Sequence, residues 1–202
     1  MAGEKKEIAM KRIALLLTLA VTLMIAGCVP SLNPLYTEKD LLFDKALVGV
    51  WSDNDDSKET WAFERSGEKG YKLVYSADGK AGEFEVYLLK LGETLFLDLY
   101  PDDAAFKEIN RNDFYKSHFL PTHTFAKVTQ IEPSLQMAFL NPDWLKEFLE
   151  QSPKAIGHEK TGDRIVLTAS TKELQKFVLD HVSTKNAFGD EPSNLKRIKS
   201  KP

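Results

Sequence analysis

The stretch Glu83-Phe84-Glu85-Val86-Tyr87-Leu88-Leu89-Lys90-Leu91-Gly92-Glu93-Thr94-Leu95-Phe96-Leu97-Asp98-Leu99-Tyr100 decides the fold. Two segments of period-two alternation flank Gly92-Glu93, a hairpin-type turn pair. In the first, Phe84, Val86 and Leu88 share one face while Glu85, Tyr87 and Leu89 share the other. In the second, Leu95, Leu97 and Leu99 oppose Phe96, Asp98 and Tyr100. Faces apolar on both sides suit a strand buried on both sides, with a barrel interior on one face and helices on the other. The alternation alone does not say which face is inward.

The same grammar extends outward. Leu47 to Trp51, Thr60 to Glu64, Tyr71 to Tyr75, Thr124 to Ile131, Leu135 to Leu140, Arg164 to Thr168 and, less regular, Phe114 to Leu120 read as further strands. Asp78-Gly79 is a second hairpin signal, so neighbours run antiparallel. The expected fold is mainly β: an antiparallel up-and-down barrel of about eight or nine strands.

Helices enter late. Asn141 with Pro142 forms an N-cap and first-turn pair before the stripe Trp144, Leu145, Phe148 and Leu149, predicting a helix near 142–151. Ser170-Thr171-Lys172-Glu173 opens a second, near 171–184, with a capping box ahead of Leu174, Phe177, Val178, His181 and Val182. Thr37 to Asp40 is a capped short helix or 3₁₀ turn. The single domain spans 41–189, and residues 190–202 read as a polar basic tail.

The chain has 202 residues, 43% hydrophobic and 28% charged, with one cysteine. Ile13 to Gly27 is a 15-residue run without charge, directly after Lys11-Arg12. It is too short to span a bilayer, which takes about 20 apolar residues. With its basic flank it reads as the apolar core of a secretion signal covering residues 1–27. Met10-Lys11-Arg12 already supplies a complete basic region, so Met10 is an alternative start to Met1. The run ends in Ile25-Ala26-Gly27-Cys28, which resembles a lipobox. In lipoproteins that carry one, cleavage falls between Gly27 and Cys28, the Cys28 thiol takes a diacylglyceryl group, and the new amino terminus often takes an acyl chain such as palmitate. A sole cysteine has no disulfide partner, and lipidation gives it a use.

Residues 28–40 then read as a lipidated tether, with Pro30 and Pro34 keeping it extended over a reach of about 40 Å at ~3.3 Å per residue. Val29 after the cysteine, rather than an aspartate, implies by the same resemblance an outer-membrane anchor facing the periplasm of a Gram-negative host. The region beyond Gly27 holds 27 − 4 = 23 basic and 30 − 2 = 28 acidic residues. A net charge of 23 − 28 = −5 disfavours nucleic acid and anionic membrane faces as electrostatic partners.

A turn of helix, Gly49-Val50-Trp51 at the start of the first strand, a meander and a late helix together resemble the lipocalin plan. That resemblance implies that Trp51 lies across the closed end of the barrel with a late arginine packed on it, Arg164 or Arg197 being the candidates. The helix between Phe139 and Gly157 departs from the plan and puts barrel closure in doubt. The stretches Pro30 to Tyr36, Leu47 to Trp51 and Leu120 to Phe125 are also similar to uncharacterised bacterial lipoproteins, whose resemblance carries no activity.

Nothing in the sequence indicates catalysis or a cofactor: phosphate loop, nucleophile elbow and dinucleotide fingerprint are all missing. His118 and His123 are five apart around Pro121, no established metal spacing, and Asp53, Asp55 and Asp56 lack the glycine and glutamate of a calcium loop. Asp98 stands out as a carboxylate between Phe96 and Tyr100, costly to face a barrel interior without a partner; the plainer alternative is an outward-facing polar residue. Two functions remain open. One is a lipid-anchored carrier of a small apolar or amphipathic ligand, with Tyr75, Tyr87, Phe96 and Asp98 in its cavity. The other is an envelope interaction protein whose barrel is filled by its own side chains and which meets a protein partner.

Overall fold

The computed structural model describes residues 28–55, 57–102, 111–189 and 192–198; the signal region 1–27 lies outside them. Strands β2 (Gly49–Ser52), β3 (Thr60–Ser66), β4 (Gly70–Ala77), β5 (Lys80–Leu91), β6 (Thr94–Pro101), β7 (Thr124–Gln130) and β8 (Ser134–Phe139) pair in chain order, all antiparallel. Strand β11 (Ser193–Ile198) pairs with both β8 and β2 and closes an eight-stranded barrel. The two-residue β1 (Leu41–Leu42) adds to the far end of β5, opposite Leu88 and Leu89.

Three expectations are corrected. The tail after residue 190 is not free: Ser193–Ile198 is the closing strand, with Leu195 buried inside the barrel. Arg164–Leu167 does form a strand (β10), yet it pairs with β9 (His158–Thr161) in a separate hairpin rather than in the barrel. Phe114 to Leu120 is no strand. Asn112 accepts a hydrogen bond from the Tyr115 N–H and caps helix α1 (Asp113–Lys116), which replaces extended backbone.

Helix α2 (Pro142–Gln151) begins on Asn141, whose side chain accepts from the N–H groups of Asp143 and Trp144. Helix α3 (Thr171–His181) begins on the capping box of Ser170 and Glu173. Both lie in the connection between β8 and β11. The helical insertion therefore interrupts the sequence of the barrel and leaves its closure intact.

Two apolar cores result, one on each side of the sheet. Trp51, Phe63, Leu73, Leu88, Leu97 and Leu135 fill the interior. On the outside, Leu89, Phe96 and Phe125 meet Leu145 and Leu149 of α2, Leu174, Phe177 and Val178 of α3, and Ile165 and Leu167 of β10. This second core is why Glu83–Tyr100 is apolar on both faces.

The region read as a tether belongs to that outer core. Val29 is 4% exposed and Leu35 fully buried. Ser31 exchanges backbone hydrogen bonds with His123, both 2.8 Å, and the Leu32 N–H donates to Leu167 and the Leu167 N–H to Pro30. The expected extended tether is corrected: the chain bends at Leu32, Asn33 and Leu35, Ser31 Oγ donates to the Asn33 carbonyl, and the apolar residues pack the segment onto the barrel.

Candidate functional site

The barrel has two unlike ends. At the closed end the Trp51 indole N–H donates to the Leu47 carbonyl at 2.9 Å, and the Arg197 guanidinium stacks 4.3 Å from the Trp51 ring centre. Arg197 also donates to the carbonyls of Val48 and Ala46 and reaches Glu132 at 3.2 Å. Gly49 is required: its φ is +141°, and a Cβ there would fall on the Arg197 guanidinium. Of the two arginine candidates, Arg197 thus occupies the position that the lipocalin resemblance implied, whereas Arg164 lies in the β9–β10 hairpin.

The open end gathers the connections β2–β3, β4–β5, β6–β7 and β8–β11. Its mouth carries Trp61, Tyr75 and Phe139, all half-buried; Trp61 lies 4.6 Å from Tyr75 and 6.4 Å from Phe139 between ring centres. Glu59 accepts from the Trp61 indole N–H at 3.2 Å. Burial first, and the Glu59 carboxylate second, raise the Tyr75 hydroxyl above its ordinary pKa. Beneath these rings Trp51, Phe63, Leu73 and Met137 leave almost no surface that water can touch, so the mouth is a shallow cup over a filled core.

Four residues were expected to line a cavity together, and the structure separates them. Tyr75 points to the interior side of the mouth. Tyr87, Phe96 and Asp98 lie on the outer face, because Val86, Leu88, Leu97 and Leu99 take the inward positions between them. Tyr87 packs against Tyr36 at 4.7 Å, and Phe96 against Phe188 at 5.8 Å. The cavity reading of these three is therefore corrected: they hold the N-terminal segment and the helical layer onto the barrel.

Asp98 is the centre of that attachment. At 1% exposure it accepts from the Leu35 N–H and from His123 Nδ1, each at 2.7 Å. Burial pushes its carboxyl pKa up, and His123 and the Leu35 N–H pull against that shift. The Tyr100 ring lies 4.5 Å from His123. Tyr36, also buried in part and facing the Asp98 charge, has its hydroxyl pKa raised. The group clamps a chain segment, the Leu35 N–H on one carboxylate oxygen and His123 on the other.

The other histidines are structurally occupied: His118 bonds the Phe114 carbonyl, His158 the Ile156 carbonyl, and His181 sits among Trp144, Phe148 and Phe177. Asp53 ties its own loop by accepting from the Asn54 N–H, and Asp56 lies outside the described residues. Among the described residues no cluster of three His, Cys, Asp or Glu side chains suits a metal ion, and no helix is long and apolar enough to cross a membrane. Cys28 is exposed beside buried Val29.

The sequence reading missed one feature of this end. Phe114 is 79% exposed, Leu120 69%, Tyr115 49% and Phe119 43%, all in the β6–β7 connection. The available signal was an apolar run hemmed by Asn112, Asp113, Ser117 and Pro121, too rich in turn residues for a strand. Set against models of protein families, against curated proteins and against solved structures, the chain matches none.

Proposed function

We propose that the chain is a lipid-anchored cell-envelope lipoprotein whose filled barrel serves as an interaction scaffold for a protein partner. The observation that carries this reading is the interior: Trp51, Phe63, Leu73, Leu88, Leu97 and Leu135 are 0–1% exposed, which leaves no room beside them for cargo. The lipobox-like Ile25-Ala26-Gly27-Cys28 supports the anchor, and Val29 in second place supports the periplasmic side of an outer membrane. Acyl chains hold a protein to a bilayer through about 0.8 kcal/mol per buried CH₂, so two or three chains suffice without a spanning helix.

A carrier of a small amphipathic ligand is the second reading. It is favoured by the half-buried cup of Trp61, Tyr75 and Phe139, which could seat one ring or a short chain without entering the core.

Two mass measurements test these readings. The mature chain from membranes should carry a diacylglyceryl-sized addition at Cys28 that Cys28→Ser abolishes; an unmodified thiol there removes the anchor. The Cys28→Ser domain, purified without detergent, should show a clean mass under native conditions after incubation with lipid extract. A reproducible adduct, lost on denaturation or in Trp61→Ala, would replace the scaffold by the carrier.

A further inference from the structure

Six large hydrophobic side chains are prominently exposed among the described residues: Leu32, Phe114, Tyr115, Phe119, Leu120 and Leu179. Their positions are uneven. Phe114, Tyr115, Phe119 and Leu120 lie in the β6–β7 connection at the open end. Leu32 follows Ser31, which is bridged to His123 at the end of that connection, so it belongs to the same corner. Leu179 alone is elsewhere, beside Gly92 at the closed end. A small soluble surface tolerates scattered apolar residues, whereas a cluster on one corner marks a contact.

The corner is also where Cys28 is held. Pro30, two residues on, accepts from Leu167, and Ser31 exchanges two hydrogen bonds with His123. Leu35 is fixed to Asp98 below them. Nothing between Cys28 and the barrel can pay out as slack, and three residues from Cys28 to Ser31 span about 10 Å at most. A lipid on Cys28 therefore brings this corner to the bilayer rather than letting the domain float above it.

The two sides of the mouth differ in charge. The β6–β7 connection, residues 102–123, nearly balances Lys107, Arg111 and Lys116 against Asp102, Asp103, Glu108 and Asp113. The acidic β2–β3 connection, with Asp53, Asp55 and Glu59, lies across the mouth, since β4 and β5 separate it from β6 on one side and β11 and β8 separate it from β7 on the other. The apolar corner meets lipid while the acidic one turns to water.

We infer that Leu32, Phe114, Tyr115, Phe119 and Leu120 form a membrane-docking face that enters the headgroup region of the same leaflet that holds the Cys28 lipid. The barrel then stands with its open end against the bilayer and its Trp51–Arg197 end directed away. Exposed aromatic and aliphatic side chains are suited to this depth, where a ring finds both an apolar and a wet neighbour. The inference rests on the anchor reading above, and the test separates the two.

The acylated full chain is placed in vesicles of phosphatidylethanolamine with a minority of phosphatidylglycerol. Because the lipid caps Cys28, single substitutions Phe114→Cys, Leu120→Cys and, at the closed end, Ser66→Cys can each be nitroxide-labelled. Labels at positions 114 and 120 should relax with dissolved oxygen and be shielded at least fivefold from an aqueous nickel chelate relative to the label at 66. Equal access of the chelate to all three overturns the docking face and leaves the patch to a protein partner. Intact mass of the same preparation reports acylation independently. If the chain carries no lipid, flotation of the unlabelled protein on these vesicles decides: loss on the double substitution Phe114→Ser, Leu120→Ser upholds docking without the anchor, and unchanged or absent flotation overturns it. All three labelling sites are exposed, so near-UV circular dichroism of the variants should match the parent.

Discussion

The two ends of the barrel spend similar side chains in opposite ways. At the closed end an indole, a guanidinium and a glycine without a side chain interlock: Trp51 donates to Leu47, Arg197 covers the ring, and Gly49 makes room. At the open end Trp61, Tyr75 and Phe139 remain half-buried, and the rest of the chain leaves Phe114 and Leu120 exposed. Burial converts apolar area into stability, while exposure keeps it for a contact outside the molecule. The closed end is therefore where substitutions should cost folding, and the open end where they should cost binding.

The sharpest way to break the comparison is to truncate both ends. Trp51→Ala should destabilise the domain by about 3–5 kcal/mol in urea unfolding, the cost of a large ring removed from a filled core. Phe114→Ser and Leu120→Ser should each stay within about 0.5 kcal/mol of the parent, as exposed positions do. Equal losses at the two ends would mean that the loop is folded into the barrel's stability and is no free surface.

Asp98→Ala should cost about 1–3 kcal/mol, because it strands the buried Leu35 N–H. The loss should be local. Amide exchange should accelerate over residues 29–36 while the interior strands β3 and β4 keep their protection; uniform acceleration would show that the N-terminal segment is integral to the barrel rather than clamped onto it. Arg197→Lys keeps the charge but loses the planar stack and the fork onto two carbonyls, so a loss of about 0.5–1 kcal/mol is expected from the same urea measurement.

The smallest effect is a pH dependence in the outer core. Burial beside Trp144, Phe148 and Phe177 lowers the pKa of His181, with Lys176 adding to the shift and Asp180 opposing it. A depressed folded-state pKa means stability that is present above the unfolded value of about 6.5 and lost as pH falls through the folded one. His181→Phe should therefore flatten the decline in melting temperature on acidification below neutrality. A decline of unchanged slope would assign it to other groups.

How much of this was legible beforehand differs by residue. The period-two runs from Thr60 to Leu140 name their strands because each faces a core, and Asn141 and Ser170 name their helices through capping chemistry. Strand β11 was not legible: in Ser193–Ile198 Leu195 is the sole buried residue, and the strand is held mainly by backbone pairing to β2 and β8. The inward face of β5 and β6 was undecidable from parity, since helices and the N-terminal segment make the outside as apolar as the inside. That is why Tyr87, Phe96 and Asp98 were assigned to a cavity, although the polarity of Asp98 correctly marked it as needing a partner. Conversely, Gly49 and Trp51 announced the closed end, and Arg197 was one of two arginines in view.

The closing strand also sets an order of events. The Arg197 contact to Val48 joins residues 149 positions apart, and the β2–β11 ladder cannot exist until both have met. Until then β2 and β8 are bare sheet edges able to pair with another copy, and contacts this distant in sequence form slowly. Loss of the short, polar Ser193–Ile198 segment would thus leave most of the interior residues in place yet produce a sticky open sheet. A strand with a single buried side chain is the one that covers both of those edges.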